Sequence, residues 1–83
     1  MTYDEAMSRA VKAQMAVAGV GTLEALASKA DMLPQTLGRF LLNGGNLKTL
    51  RKIAGALGVT SGKLLTDAEA IRRGDTTEEV TNG

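Results

Sequence analysis

Neither cysteine nor histidine occurs in this chain of 83 residues. Their absence removes disulfides, Cys/His zinc clusters and two of the side chains most used for nucleophilic and acid–base chemistry near neutral pH. There is also no glycine-rich phosphate loop after a strand and no carboxylate pair in a candidate cleft. No enzymatic activity, metal site or cofactor is therefore expected. Tryptophan is absent, and Tyr3 and Phe40 are the only aromatic residues, so aliphatic side chains and methionine must build the core. No apolar run approaches the ~20 residues needed to cross a bilayer, and no membrane association is expected. Residues 1–20 lack a basic start followed by an unbroken apolar stretch, so they do not read as a signal peptide. The missing cysteine fits a reducing compartment, and a cytoplasmic location is the expectation.

What is present is a charge pattern. The net charge of +1 hides three blocks. Residues 1–28 hold Arg9 and Lys12 against Asp4, Glu5 and Glu24, a net of −1. Residues 29–63 hold Lys29, Arg39, Lys48, Arg51, Lys52 and Lys63 against Asp31 alone, a net of +5. Residues 64–83 hold Arg72 and Arg73 against Asp67, Glu69, Asp75, Glu78 and Glu79, a net of −3. A basic centre between acidic ends suits a polyanion, although a solvated basic face is the plainer alternative.

Helical signals fill most of the chain, and no period-two strand pattern or internal repeat occurs. Thr2 and Glu5 form a capping box. Met7, Ala10, Val11, Met15 and Ala18 then recur at helical spacing until Gly19 and Gly21, which predicts a helix over 3–18. Thr22 can cap a second helix with Leu23, Leu26, Ala27 and Ala30 on one face. Pro34 suits the first position of a third helix, where its missing N–H costs nothing, and Leu37, Phe40 and Leu41 form that helix's buried stripe. A loop from Asn43 to Asn46 follows. Asn46 caps a fourth helix with the stripe Leu47, Leu50, Ile53, Ala54 and Leu57, closed by Gly58. Val59 to Leu65 reads as a short fifth turn. Thr66 and Glu69 read as a second capping box that starts a last helix to about Arg73. The fold class is all-α, a compact bundle of five to six short helices. Residues 1–73 form one domain, and 74–83 read as a flexible tail with Val80 as the only apolar residue.

The segment "LASKADMLPQTLGRF", residues 26–40, breaks one helix and restarts another three residues later. Ala27 is small enough for a close helix crossing. Asp31 stands where the turn needs a left-handed backbone, which Gly adopts best and Asp tolerates. Met32, Leu37 and Phe40 close the wedge on one side, Leu26 and Ala30 on the other. This spacing predicts a helix-turn-helix over 22–42.

The strings Leu23-Glu24-Ala25-Leu26-Ala27, Ala30-Asp31-Met32 and Thr36-Leu37-Gly38-Arg39-Phe40 resemble the phage repressor and Cro-type helix-turn-helix family. The string "NLKTLRKIAGALGV" resembles that family's fourth helix, and "SGKLL" its short closing helix. The resemblance spans residues 22–65, about half the chain. The chain has Asp31 where the family usually has Gly, and Leu33 where it usually has Ser or Thr. The resemblance implies a lambda-repressor-like fold and a sequence-specific, double-stranded-DNA-binding transcriptional regulator, a small repressor of phage or mobile-element type. The helix over 34–42 would enter the major groove. Gln35 can then pair with adenine and Arg39 with guanine, while Leu33 meets a thymine methyl and Gly38 permits close approach. Thr22, Thr36, Asn43, Asn46, Lys48 and Lys52 are the expected phosphate contacts.

A helix-turn-helix can also serve protein binding, as in an antirepressor or adaptor, with Leu33 and Leu42 as apolar contacts. A homodimer, if one forms, would have to use helix 1, the last helix or the tail. The stripe Leu64, Leu65, Ala68 and Ile71 is the best candidate, with closure of the monomer core as its rival role.

Overall fold

The computed structural model describes residues 2–74, which form five helices: α1 Tyr3–Ala18, α2 Leu23–Lys29, α3 Pro34–Asn43, α4 Leu47–Leu57 and α5 Ser61–Arg73. The segment 75–83, most of the expected tail, lies outside the described residues; Gly74 belongs to the fold as the C-cap of α5. No described helix is long and apolar enough to cross a membrane.

Most helix ends follow the capping chemistry. The Thr2 hydroxyl accepts from the Glu5 N–H at 3.2 Å, and the Thr2 N–H donates to the Glu5 carboxylate at 2.9 Å. Thr22 accepts from the Ala25 N–H at 3.0 Å, and Asn46 from the Thr49 N–H at 2.9 Å. Each such contact satisfies an amide that the helix itself leaves unpaired. The first and fourth helices close alike. The N–H of Val20 returns to the Met15 carbonyl at 2.9 Å, and that of Val59 to Ala54 at 3.0 Å, tucking each valine toward the core.

The last helix differs from the sequence expectation. Val59 to Leu65 is not a separate turn, and the second capping box does not form. Instead Thr60 caps one continuous helix by accepting from the Lys63 N–H at 3.0 Å. Lys63 and Asp67 pair at 3.2 Å across the expected break. Leu64 and Ala68, one turn apart, are both fully buried. Propagating a helix adds a bond per residue, whereas restarting one needs a new nucleus, so continuity prevails.

The core joins all five helices. Ala6, Met7, Ala10, Val11 and Met15 of α1 meet Leu26 and Ala27, Leu37, Phe40 and Leu41, Leu50, Ile53, Ala54 and Leu57, and Leu64 and Ala68. No polar or charged side chain is buried among the described residues. The most extensive packing is α1 on α5. Leu64 and Ala68 therefore close the monomer core, Ile71 packs against it, and of the proposed dimer stripe only Leu65 is exposed. Ala18, Leu23 and Leu47, read from periodicity as core positions, are exposed at helix ends. Ala6, which periodicity passed over, is fully buried.

The turn between α2 and α3 has the expected backbone. Asp31 has φ 58°, its N–H donates to the Ser28 carbonyl at 3.2 Å, and the Met32 N–H donates to Ala27 at 3.0 Å. Ala27 is fully buried, and Met32 packs on the core. Leu33 precedes α3 and supplies no side-chain cap; Pro34 takes the first turn.

The corner between α3 and α4 is tight for a different reason. α3 runs through Asn43, so the loop is only 44–46. Gly44 has φ 78° and ψ −180°, a region nearly reserved for glycine. A Cβ on Gly44 would lie 2.8 Å from the Asp4 carboxylate, and one on Gly45 would lie 2.6 Å from the Phe40 ring. The loop thus lies against Phe40 and the first turn of α1, which fixes where α4 starts relative to α3.

Candidate nucleic-acid interface

Leu37, Phe40 and Leu41 turn inward on α3, so helical geometry turns Gln35, Arg39 and Leu42 outward. All three are exposed, Leu42 at 75%. Gln35 and Arg39 are one turn apart on this outer face. Gly38 is half-buried, yet a Cβ placed there would meet no heavy atom within 4 Å. Its missing side chain leaves room on the outside of the helix, not in the core. Leu33 is 66% exposed just before the helix.

Thr36 and Arg39 line a notch of about 170 Å³ whose far wall is Gly44, Gly45, Asn46 and Thr49. The short corner brings these together: because Gly45 lies on Phe40, the capped start of α4 stands beside the outer flank of α3. Asn46 uses its side-chain carbonyl for the Thr49 N–H, which leaves its amide N–H groups to donate elsewhere. Thr49 is an addition to the residues foreseen. Its signal in the sequence was its place three residues after a capping Asn.

Along α4 the inward stripe is Leu50, Ile53, Ala54 and Leu57. Lys48, Arg51 and Lys52 are exposed on the remaining face. Among the described residues no carboxylate pairs with these three or with Arg39. Lys63, counted in the basic block, pairs with Asp67 at 3.2 Å on the surface. Apart from Lys29 at the end of α2, the unpaired part of the block therefore lies on α3 and α4.

Two expected phosphate contacts stand apart. Thr22 serves as the cap of α2 and does not line the notch. Asn43 borders a neighbouring cleft of about 350 Å³, which shares Phe40, Gly44, Gly45 and Asn46 with the notch and is lined also by Tyr3, Asp4, Met7, Leu47, Leu50 and Leu65. At its edge the Tyr3 phenol titrates above its ordinary range, first from partial burial and then from the nearby Glu69 carboxylate, with Arg72 opposing. Arg72 also donates to Glu69 at 2.8 Å, and that hydrogen bond holds the Glu69 carboxyl below its usual range.

No protein-family model, curated protein or solved structure matches this chain.

Proposed function

We propose that the protein is a sequence-specific DNA-binding transcriptional regulator, a small repressor of the phage or Cro type. α2, the Asp31 turn and α3 are read as its helix-turn-helix, with α3 in the major groove. The observation that carries the reading is the shared placement of Gln35 and Arg39 on the outer face of α3, with Arg39 lining a notch shared with the start of α4. Two side chains one turn apart can reach neighbouring base pairs, glutamine pairing with adenine and arginine with guanine. The notch beside them, with Thr36, Asn46 and Thr49, is of a kind that can hold a phosphate of the flanking backbone.

Leu33 and Leu42 support a second reading. They are strongly exposed leucines bracketing the same outer face, an arrangement suited to a protein partner, as in an antirepressor or adaptor.

A binding-site selection with wild type, Gln35→Ala and Arg39→Ala separates the two. Under the DNA reading each variant melts normally, loses ~1–3 kcal/mol on the preferred site and relaxes choice at one base pair. Arg39→Ala also loses some general affinity, because it removes a charge; Gln35→Ala does not. Unchanged site and affinity in both variants would instead favour Leu33 and Leu42 as contacts to a protein.

A further inference from the structure

Tyr3, Leu47 and Leu65 are 37%, 48% and 38% exposed, and all three line one space, the cleft of about 350 Å³ bordered by Asn43. Buried Met7, Phe40 and Leu50 complete its apolar walls. The lining comes from α1, α3, α4, α5 and the 44–46 corner, which suits a compact occupant rather than an extended one. Its volume lies at the small end of the range for sites that hold organic molecules, and gaps between the helices of a bundle are among the usual places for them.

One charged group lines the cleft, the Asp4 carboxylate. It is half-buried and has no hydrogen bond or ion pair among the described residues. Glu5, not Asp4, closes the capping box of α1. Asp4 also borders a shallow groove that includes Arg9 and Lys12, yet it pairs with neither. Gly44 keeps the carboxylate reachable, because a Cβ at that position would lie 2.8 Å from Asp4 Oδ1. The other polar side chains of the lining are the Tyr3 phenol and the amides of Asn43 and Asn46, all able to accept a hydrogen bond. A partly buried carboxylate without a partner gains most from a cation that donates to it.

We propose that the cleft binds a small organic cation, an apolar or aromatic body carrying a protonated amine. The ammonium donates to Asp4, and the body lies against Met7, Phe40, Leu47 and Leu65. The same carboxylate repels an anion of equal shape. Phe40, Gly44, Gly45 and Asn46 line both this cleft and the notch beside Arg39, so an occupant bears on the corner that shapes the notch. That regulatory consequence rests on the DNA-binding reading; the binding itself does not.

Phenethylamine is the probe, with phenethyl alcohol and hydrocinnamate as neutral and anionic analogues of similar shape. Methyl NMR of the full chain without nucleic acid reads the binding. The amine should shift the Met7, Leu47 and Leu65 methyls saturably and leave Val17, which does not line the cleft, in place. The alcohol should bind more weakly, and hydrocinnamate should shift none of them. Asp4→Asn should weaken the amine by about five- to ten-fold and leave the alcohol unchanged, which separates a lost charge from an altered cleft. Leu47→Gln, at an exposed position, should weaken amine and alcohol alike, and Glu24→Gln, outside the cleft, should change neither. Cleft methyls that stay in place up to the solubility of the amine would overturn the proposal. So would hydrocinnamate binding as tightly as the amine, or an Asp4→Asn chain that melts like wild type and binds the amine equally well. No DNA is present, so these outcomes are independent of whether α3 reads bases.

Discussion

Asp31 is the only non-glycine residue with positive φ among those described, at 58°. A side chain in the left-handed region costs ~1–2 kcal/mol, less for Asp than for most residues. The turn tolerates it because the Asp31 and Met32 amides both find carbonyls in the last turn of α2. Asp31→Gly should therefore leave thermal stability unchanged or raise it by up to ~1 kcal/mol, since the relief of strain exceeds the extra chain entropy. Asp31→Val should lower it by ~1–2 kcal/mol, because a β-branched residue resists this backbone most. A thermal melt of the three proteins checks the order. The turn was legible from sequence because Asp in place of Gly, with Ala four residues before it, has few other uses. The Gly44-Gly45 corner was legible only as a loop. Its tightness comes from Asp4 and Phe40, which lie far away or on another element, and no local pattern announces them.

At the scale of elements, the caps decide where helices start, and they compete. Thr60 and Thr66 both stand in suitable strings, yet only Thr60 accepts an amide. Inside a running helix the amide that Thr66 would cap is already committed to a carbonyl four residues back. Thr60→Ala should lower stability by ~1 kcal/mol. Thr66→Ala should stay within ~0.5 kcal/mol of wild type, as an exposed mid-helix change to a better helix former. Urea unfolding midpoints of both variants test which threonine is the cap. α3 is the opposite case: it has no side-chain cap at Leu33, and Pro34 and its buried stripe hold it instead. A start without a polar cap leaves Leu33 exposed beside Gln35, which bears on whichever partner meets that face.

At the scale of the molecule, the basic block separates into paired and unpaired parts. Lys63 pairs with Asp67, whereas Lys29, Arg39, Lys48, Arg51 and Lys52 have no carboxylate partner among the described residues. Under the DNA reading, log K falls with log salt by roughly 0.9 for each phosphate neutralised. The four on α3 and α4 would then give a slope of roughly −3 to −4 per chain. Lys48→Ala should flatten that slope by ~1 and weaken binding to all sequences alike. Lys63→Ala should leave it unchanged. Titration of DNA at several salt concentrations measures all three, and a wild-type slope near zero would remove DNA as the main partner.

The all-α architecture, the Thr2, Thr22 and Asn46 caps, the Asp31 turn and the inward stripes of α3 and α4 follow from local pattern. Each depends on residues within about one helical turn of one another, and a linear sequence displays such spacings directly. Helix-end positions were less legible: Ala18, Leu23 and Leu47 sit on the right period but stay exposed at the ends of their helices. Only the tertiary structure decided that Leu64 and Ala68 close the monomer core against α1. Only it placed Thr49 and Arg39 on one notch, set Asn43 on the adjoining cleft, and lined that cleft with Leu47 and Leu65. Those facts depend on how Gly45 lies on Phe40 and how α1 lies on α5, contacts between residues distant in the chain. Periodicity identifies which face of a helix is apolar; the packing of all five helices determines which part of that face remains uncovered.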